Sequence, residues 1–225
     1  DLFGTSVHMT YTYYANPRIP LYKQGPAFFV FTGIGAYYGQ PKADLFRGTP
    51  SLDSRYFFWP DGTVRDVAYE GPQTNGNVID KDGEYETNLA DWYTEGSGYK
   101  GEGKSKNAYN FVNIAVPMGV GFRYGITKKI TISTELGYYM FFTDFLDDVS
   151  SEYPTYAEIN ANFPNDPVKQ ALALYVSDPT GYGNSGYPGP ATSRRGNPGK
   201  KDAYSYLNVE VAYKFDFRKG IPRLW

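Results

Sequence analysis

The chain has 225 residues, a net charge of −2 at pH 7, no cysteine, one histidine and 23 tyrosines. The lack of cysteine excludes disulfides, thiol nucleophiles and cysteine-ligated zinc, and a mean hydropathy of −0.51 with no apolar run of about 18 residues excludes a helical membrane protein. Tyrosine favours membrane–water interfaces because its ring is apolar and its hydroxyl is hydrated, and a β-barrel keeps a low mean hydropathy because lipid-facing and lumen-facing residues alternate.

Five segments alternate between apolar and polar side chains with the two-residue period of a β-strand. They predict strands at residues 5–14, 26–38, 110–124, 129–143 and 203–217. In the last of them, apolar residues from Leu207 to Phe217 alternate with residues such as Asn208, Glu210 and Lys214, so that one face is apolar and the other is charged. An apolar face of this length that ends in aromatic residues is typical of a strand that faces lipid.

The opposite faces of these strands carry several glycines, among them Gly119, Gly121 and Gly137. Glycine on an inner face is expected in a narrow lumen, where backbones lie close together. Pro117 has no N–H to donate to the ladder, so a bulge or a locally unpaired backbone is expected at that position.

The connections between the predicted strands alternate between short and long. Residues 15–25 and 125–128 form short turns, whereas residues 39–107 and 145–202 are long, polar and rich in Gly, Pro, Asn and Asp. Short turns on one side and long loops on the other are typical of outer-membrane barrels, whose long loops lie outside the cell.

The second long loop contains two signals for the start of a helix. Asp166 can cap a helix, and Pro167 suits its first position, so a helix is predicted over residues 168–176. Thr155 and Glu158 have the spacing of a capping box, which predicts a second helical turn.

The predicted fold is therefore all-β, a small closed antiparallel transmembrane β-barrel with two long extracellular loops that contain a short helix. Single-chain barrels have an even number of strands with a minimum of eight, so we expect further N-terminal strands and a signal peptide beyond the five strands seen here. As an alternative, residues 56–59 and 85–93 supply strands, although their alternation is short. Residues 1–217 are predicted to form one barrel domain, and residues 218–225 a periplasmic C-terminal tail.

Residues 116–154 combine a proline- and glycine-containing strand, a short turn and an aromatic strand that ends in Thr-Asp-Phe-Leu-Asp-Asp-Val-Ser. This run resembles the PorG family of outer-membrane barrels from the type IX secretion system of Bacteroidetes, in which a PFGxGxKY strand precedes a strand ending TDYLDDVS. Residues 31–43 are similar to the family's GGIGxFxxNPKA segment, with Gln40 where asparagine is usual. The matching positions of the longer run are Pro117, Gly119, Gly121, Arg123, Tyr124, Glu135, Gly137, Thr143, Asp144, Leu146, Asp147, Asp148, Val149 and Ser150.

The resemblance implies a non-enzymatic structural component of the secretion machinery in the cell outer membrane. It implies that the barrel anchors a periplasmic ring lipoprotein and its partner, similar to PorK and PorN, and that it contacts outer-membrane lipids. The aromatic outer faces would also allow contacts with other outer-membrane barrels. No cofactor is expected, because the Gly-x-Gly pairs lie inside strands rather than at a strand–helix turn, and no nucleic acid is expected, because the chain has no extended basic field.

The basic residues of the short turns and the tail form the predicted docking site on the periplasmic rim, where no acidic residue occurs. They are Arg18, Lys23, Lys128, Lys129, Arg218, Lys219 and Arg223. The long loops contain more acidic than basic residues, so this asymmetry could steer an acidic partner to the turns. Contact of the same side chains with lipid phosphates is an equally good interpretation.

The alternation also predicts five charged side chains in the lumen. They are Arg123, Glu135, Glu210, Lys214 and Asp216. Buried charges are tolerated when they are paired and hydrogen-bonded, which predicts a network of ion pairs that plugs the barrel. No catalytic residue is expected, because His8, the only candidate for imidazole chemistry, is interpreted as a lumen-facing polar residue.

Two other functions remain open from the sequence. One is an OmpA-like or adhesin-type barrel that binds a partner through its long loops, and the other is a lipid-modifying enzyme that uses His8. Calcium binding is a minority interpretation for two acidic segments. In the first segment, residues 80–83, Gly83 would take the glycine position of a calcium loop. The first and last ligand positions of that loop would then be Val78 and Leu89, which cannot bind calcium through their side chains. The second segment contains Asp144, Asp147, Asp148 and Glu152.

Overall fold

The computed structural model of the chain describes residues 2–101, 104–105, 110–181 and 194–215. The strands are β1 (Leu2–Tyr13), β2 (Ala27–Gly39), β3 (Lys42–Ala43), β4 (Phe57–Phe58), β5 (Val64–Arg65), β6 (Thr87–Asn88), β7 (Lys100–Gly101), β8 (Lys104–Ser105), β9 (Val112–Gly125), β10 (Ile130–Phe141) and β11 (Ala203–Tyr213). The helices are α1 (Tyr156–Asn162) and α2 (Pro167–Ser177), with 3₁₀ turns at Leu21–Lys23 and Leu89–Trp92.

The five long strands form one antiparallel sheet in the order β1-β2-β9-β10-β11. All five lie close to the bounds that the alternation predicts, so the prediction of five antiparallel strands is confirmed. The order is linear, with β1 and β11 at its edges, and no closed barrel is detected in the part of the chain that the structure describes.

The pairing of β9 with β10 continues without interruption through Pro117. The register runs from Thr131 opposite Gly125 to Phe141 opposite Ala115, and Pro117 lies opposite Tyr139. The predicted bulge is therefore absent from this pair of strands. The proline side chain is fully buried, so its lack of an N–H removes one donor from the ladder without a change of register.

The chain divides into two compact units. The strand unit consists of Gly4–Ala36, Ile114–Phe142 and Ala203–Trp225. The loop unit consists of Asp1–Phe3, Tyr37–Asn113 and Thr143–Asp202. The two long connections, predicted as loops, therefore fold together into a unit of their own.

The loop unit has its own hydrophobic core, to which both long connections contribute. Leu45 and Phe46 from the first connection pack against Leu172 and Val176 of α2. The Tyr175 hydroxyl donates hydrogen bonds to the Leu45 and Tyr56 carbonyls at 2.7 and 2.9 Å. Helix α2 is thereby fixed against a segment that lies more than 100 residues earlier in the sequence.

Both helices begin where the sequence predicts. The Asp166 carboxylate accepts the Lys169 N–H at 3.0 Å and Pro167 is the first residue of α2, which confirms the predicted helix. At α1 the Thr155 hydroxyl accepts the Glu158 N–H at 3.3 Å, and the Glu158 carboxylate accepts the Thr155 N–H at 2.6 Å, which confirms the capping box. Neither helix of the described residues is long and apolar enough to cross a membrane.

The short strands pair locally within the loop unit. Strand β3 pairs with β6, β4 with β5, and β7 with β8. Residues 56–59 and 85–93, the alternative source of long strands, contain only β4 and β6, each two residues long. They add no strand to the five-stranded sheet.

Candidate functional site

One face of the five-stranded sheet consists of apolar side chains that are exposed. In the interior strand β2, Val30 and Ile34 are exposed, whereas Phe29 and Phe31 on the opposite face are at most 5 % exposed. A soluble sheet that packs one face on a core exposes polar residues on its other face, whereas here the exposed face is apolar as well. Within the strand unit this apolar face contains Val7, Met9, Tyr11, Tyr13, Phe28, Val30, Ile34, Ile114, Met118, Val120, Phe122, Tyr124, Leu136, Tyr138, Phe142, Leu207, Val209, Val211, Tyr213 and Phe215.

The apolar face is continuous across all five strands. The register places Val120 opposite Leu136 and Leu136 opposite Leu207, so that apolar residues form a row across three neighbouring strands. A shallow depression of about 700 Å³ on the strand unit is lined by residues from every strand, including Tyr11 and Val30 in addition to these three.

Aromatic rings fill the opposite, inner face of the sheet. The His8 and Phe31 rings stack with their centres 5.2 Å apart, and the Arg123 guanidinium lies 4.6 Å from the centre of the Phe29 ring. Gly119 leaves room for these rings, because a Cβ there would lie 2.5 Å from two atoms of Phe31. The glycine on this face, predicted for close packing of backbones, therefore also accommodates aromatic side chains.

Four of the five charged residues that were predicted to form a network in the lumen lie among the residues that the structure describes. Glu135 accepts a hydrogen bond from the Tyr206 hydroxyl at 2.9 Å, and Arg123 contacts Phe29. Glu210 and Lys214 are exposed. None of these four side chains forms an ion pair with another described residue, and Asp216 lies outside the described residues.

His8 has a hydroxyl partner in the structure. The Ser6 hydroxyl lies 2.8 Å from His8 Nε2, and Tyr139 lies beside the imidazole with ring centres 6.3 Å apart. A nucleophilic serine needs a base that is itself oriented by a third group. No carboxylate of the described residues hydrogen-bonds to His8, so the pair has two of the three parts of such a site.

The short turns lie at one end of the sheet. Residues 14–26 join β1 to β2 and residues 126–129 join β9 to β10, and antiparallel connectivity places both turns at the same end. The turns touch each other, because a Cβ on Gly125 would lie 2.6 Å from the Tyr22 nitrogen. The first turn is held by Gln24, whose side chain accepts the Asn16 N–H at 3.0 Å.

Four residues of the predicted docking site are exposed in these turns. They are Arg18, Lys23, Lys128 and Lys129. The Lys214 N–H donates to the Lys129 carbonyl at 2.8 Å, which brings a fifth cation to the same end. No ion pair involves these five side chains and any other described residue, so this basic turn end carries uncompensated positive charge. Arg218, Lys219 and Arg223 lie outside the described residues.

A buried polar network joins the two long connections within the loop unit. The Glu95 carboxylate accepts the N–H groups of Ser150 and Ser151 at 2.7 and 2.8 Å. Arg195 Nη1 lies 3.6 Å from Glu95 and 3.5 Å from the Asp148 carboxylate. Burial raises the pKa of Asp148 to about 6, although Arg195 and a hydrogen bond from the Thr94 hydroxyl oppose the shift.

The sequence did not indicate this network. Arg195 lies in the segment 181–199, which its glycine and proline content predicts to be a flexible surface segment. The Arg195 side chain is instead 11 % exposed and is fixed by partners on two connections. Asp147 and Asp148, assigned together to an acidic cluster, separate in the structure, because Asp147 accepts the Val149 N–H while Asp148 joins the network.

One group of carboxylates in the described residues has the spacing of a metal site. Asp44, Asp82 and Glu86 each place one oxygen within 4.8 Å of the others. Burial raises the pKa of Asp44. Asp82 belongs to the segment 80–83, for which the sequence left calcium binding as a minority interpretation, whereas Asp44 and Glu86 have no such signal in the sequence.

Comparison with known proteins gives no match: no protein-family model matches the chain, and no curated protein or solved structure is similar to it.

Proposed function

We propose that the chain is part of an outer-membrane β-barrel whose apolar face lies against lipid. The observation that carries this proposal is the alternation of exposure along β2 and β9, the interior strands on which apolar residues are exposed while Phe29, Phe31 and Ala115 on the other face are buried. Soluble monomers rarely expose contiguous apolar patches larger than a few hundred Å². An apolar face that spans five strands is more stable in hydrocarbon than in water. Strands of transmembrane barrels likewise direct their apolar side chains outward to lipid.

The proposal requires partners for the two edge strands. The backbone groups of β1 and β11 that point away from the sheet would be unpaired in lipid, at a cost of several kcal/mol for each group. Additional strands that close the sheet into a barrel of even strand number, with eight as the minimum, satisfy these groups. The five strands described here would then form a continuous part of its wall.

We further propose that the barrel is a structural, non-enzymatic component of the type IX secretion machinery that anchors periplasmic ring subunits. Its support is the resemblance of residues 116–154 to PorG barrels, together with the basic turn end. In an outer-membrane barrel short turns face the periplasm, so Arg18, Lys23, Lys128 and Lys129 would lie on the side of a periplasmic ring. An acidic surface on the ring lipoprotein would complement them.

The test is crosslinking with mass spectrometry on the tagged protein purified from its native outer membrane in mild detergent. We expect crosslinks from Lys23, Lys128 or Lys129 to a periplasmic lipoprotein. Crosslinks from loop-unit lysines alone, such as Lys81 and Lys169, would contradict the docking role.

Charge reversal provides an independent test with a matched control. The double variant Lys128→Glu with Lys129→Glu is expected to lose partner capture and secretion while the barrel still folds. The control reverses Lys169 and Lys200, two exposed lysines in the loop unit, and should retain both. Equal behaviour of the two double variants would exclude the turn end as the docking surface.

A second candidate function is favoured by the loop unit. Long connections are rarely neutral spacers in compact domains, and here they share a core that includes Phe46 and Val176. An OmpA-like or adhesin-type barrel that binds an external partner through this unit would need such a rigid surface. It predicts partner crosslinks from Lys81 and Lys169 and no effect of the Lys128 and Lys129 substitutions.

A further inference from the structure

The short strands of the loop unit bring two distant acidic residues side by side. Strands β3 and β6 pair with Ala43 opposite Thr87, so Asp44, which follows β3, and Glu86, which precedes β6, become neighbours. Asp82 joins them through the chain that leads into β6, and its N–H donates to the Tyr56 hydroxyl at 2.9 Å. The three carboxylates approach within 4.8 Å of one another.

Part of the bonding capacity of these carboxylates is already used. Asp44 Oδ2 accepts the Gly83 N–H at 3.1 Å, and Glu86 Oε1 accepts the N–H groups of Leu45 and Phe46, both at 3.0 Å. The side chains are thereby held in place by backbone donors before any ligand binds.

Asp82 Oδ1 and Oδ2 accept the N–H groups of Glu84 and Gly48 at 3.0 and 3.3 Å, but one oxygen each of Asp44 and Glu86 has no donor. Asp44 is 6 % exposed, and its Oδ1 is buried without a hydrogen-bond partner, as is Glu86 Oε2. The nearest cation, Lys81, donates to the Asp44 backbone carbonyl at 2.7 Å rather than to its carboxylate. A buried carboxylate oxygen without a donor is costly, and like charges at this distance repel each other. A bound cation would remove both costs.

We propose that Asp44, Asp82 and Glu86 form a calcium-binding site in the loop unit. Carboxylate oxygen is the ligand of hard cations, and the group contains no imidazole or thiolate that would select a transition metal. Ca²⁺ accepts an irregular set of about six to eight oxygens, whereas Mg²⁺ requires near-octahedral geometry and dehydrates reluctantly. Water and backbone carbonyls would complete the shell, and the site is independent of the proposed secretion role.

Backbone pairing already links β3 to β6 at two positions. A bound ion would add a second link, between residue 44 and residues 82–86. A site with three carboxylates and a lysine nearby is expected to bind Ca²⁺ with the affinity of extracellular calcium modules, a Kd on the order of 0.1–1 mM. Binding should therefore protect the 80–86 segment from proteolysis and from amide hydrogen exchange.

The test is calcium titration of the full chain in detergent by isothermal calorimetry, with CaCl₂ and MgCl₂ as the probes. We expect saturable Ca²⁺ binding, weaker Mg²⁺ binding, and slower hydrogen exchange in residues 80–86 when Ca²⁺ is present. The variants Asp82→Asn and Glu86→Gln should each weaken Ca²⁺ binding at least about tenfold. Asp82 is exposed, so its variant should fold even if the more buried Glu86 is required for folding.

The matched control is Glu84→Gln, which removes an exposed carboxylate two residues from both Asp82 and Glu86 and outside the group. It should bind Ca²⁺ as the parent does. Three results would overturn the proposal: no saturable Ca²⁺ binding up to about 10 mM, which is above the range of extracellular modules, equal weakening by Glu84→Gln and Asp82→Asn, or equal affinity for Mg²⁺ and Ca²⁺.

Discussion

Substitution of Val120 by lysine tests directly whether the apolar face lies in lipid. Val120 is near the middle of β9 and opposite Leu136, and it is 54 % exposed, so its replacement removes little packing. In water, a substitution at such a surface position changes the free energy of unfolding by about 0.5 kcal/mol or less. Lysine on the lipid face near the bilayer midplane costs about 2–4 kcal/mol. The loss of stability expected in lipid is therefore several times larger than the loss expected in water.

The matched control is Val168→Lys in the loop unit, where the valine is 53 % exposed in the first turn of α2. A lysine near a helix N-terminus is unfavourable by about 0.3–1 kcal/mol. This cost is still smaller than the cost expected for lysine at position 120 in lipid. Both variants would be folded into phospholipid vesicles and unfolded with urea, with the transition followed by far-UV circular dichroism. Equal losses of stability in the two variants would refute the assignment of the apolar face to lipid.

Three further substitutions, the first with a matched control, test the packing and the electrostatics. Gly119→Ala should destabilise the strand unit by about 1–3 kcal/mol, because its Cβ would lie 2.5 Å from the Phe31 ring. Gly199→Ala, with its nearest neighbour at 3.3 Å, should be near neutral in the same urea titration. Phe46→Ala should destabilise the loop unit by about 3–5 kcal/mol, since the ring is fully buried, and hydrogen exchange in that unit should rise. Burial gives Asp148 a folded-state pKa of about 6, above its unfolded value, so the folded state holds this proton more tightly. Acidification from pH 7 to pH 4 should therefore stabilise the parent relative to Asp148→Asn by about 2 kcal/mol, and a difference that does not change with pH would contradict the burial of this carboxylate.

The five strands were predictable because each repeats the two-residue alternation over ten or more positions. Helix α2 was predictable because Asp166 and Pro167 mark its start independently of its surroundings. The core of the loop unit was not predictable. Phe46 and Val176 are 130 residues apart in the sequence, and nothing periodic in either segment shows that they pack together.

The same distinction holds for the candidate sites. The position of Lys23 and Lys128 at one end of the sheet follows from connectivity alone. Alternation predicts that Arg123 and Glu135 share one face, but it gives no information on their partners, and in the structure each contacts an aromatic side chain. The contact between Asp44 and Glu86 depends on strands of two residues, which are too short to leave a pattern.

Several of the positions that carry the resemblance to PorG barrels are packing positions in the structure. Gly119 accommodates the Phe31 ring, and Asp148 and Ser150 belong to the buried network around Glu95 and Arg195. Substitutions there would disturb folding first, and a loss of secretion that followed would carry no information about docking. The exposed turn lysines contribute no core contact and form no ion pair with a described residue. Their reversal therefore separates the docking role from the fold, which substitution of the resembling residues cannot do.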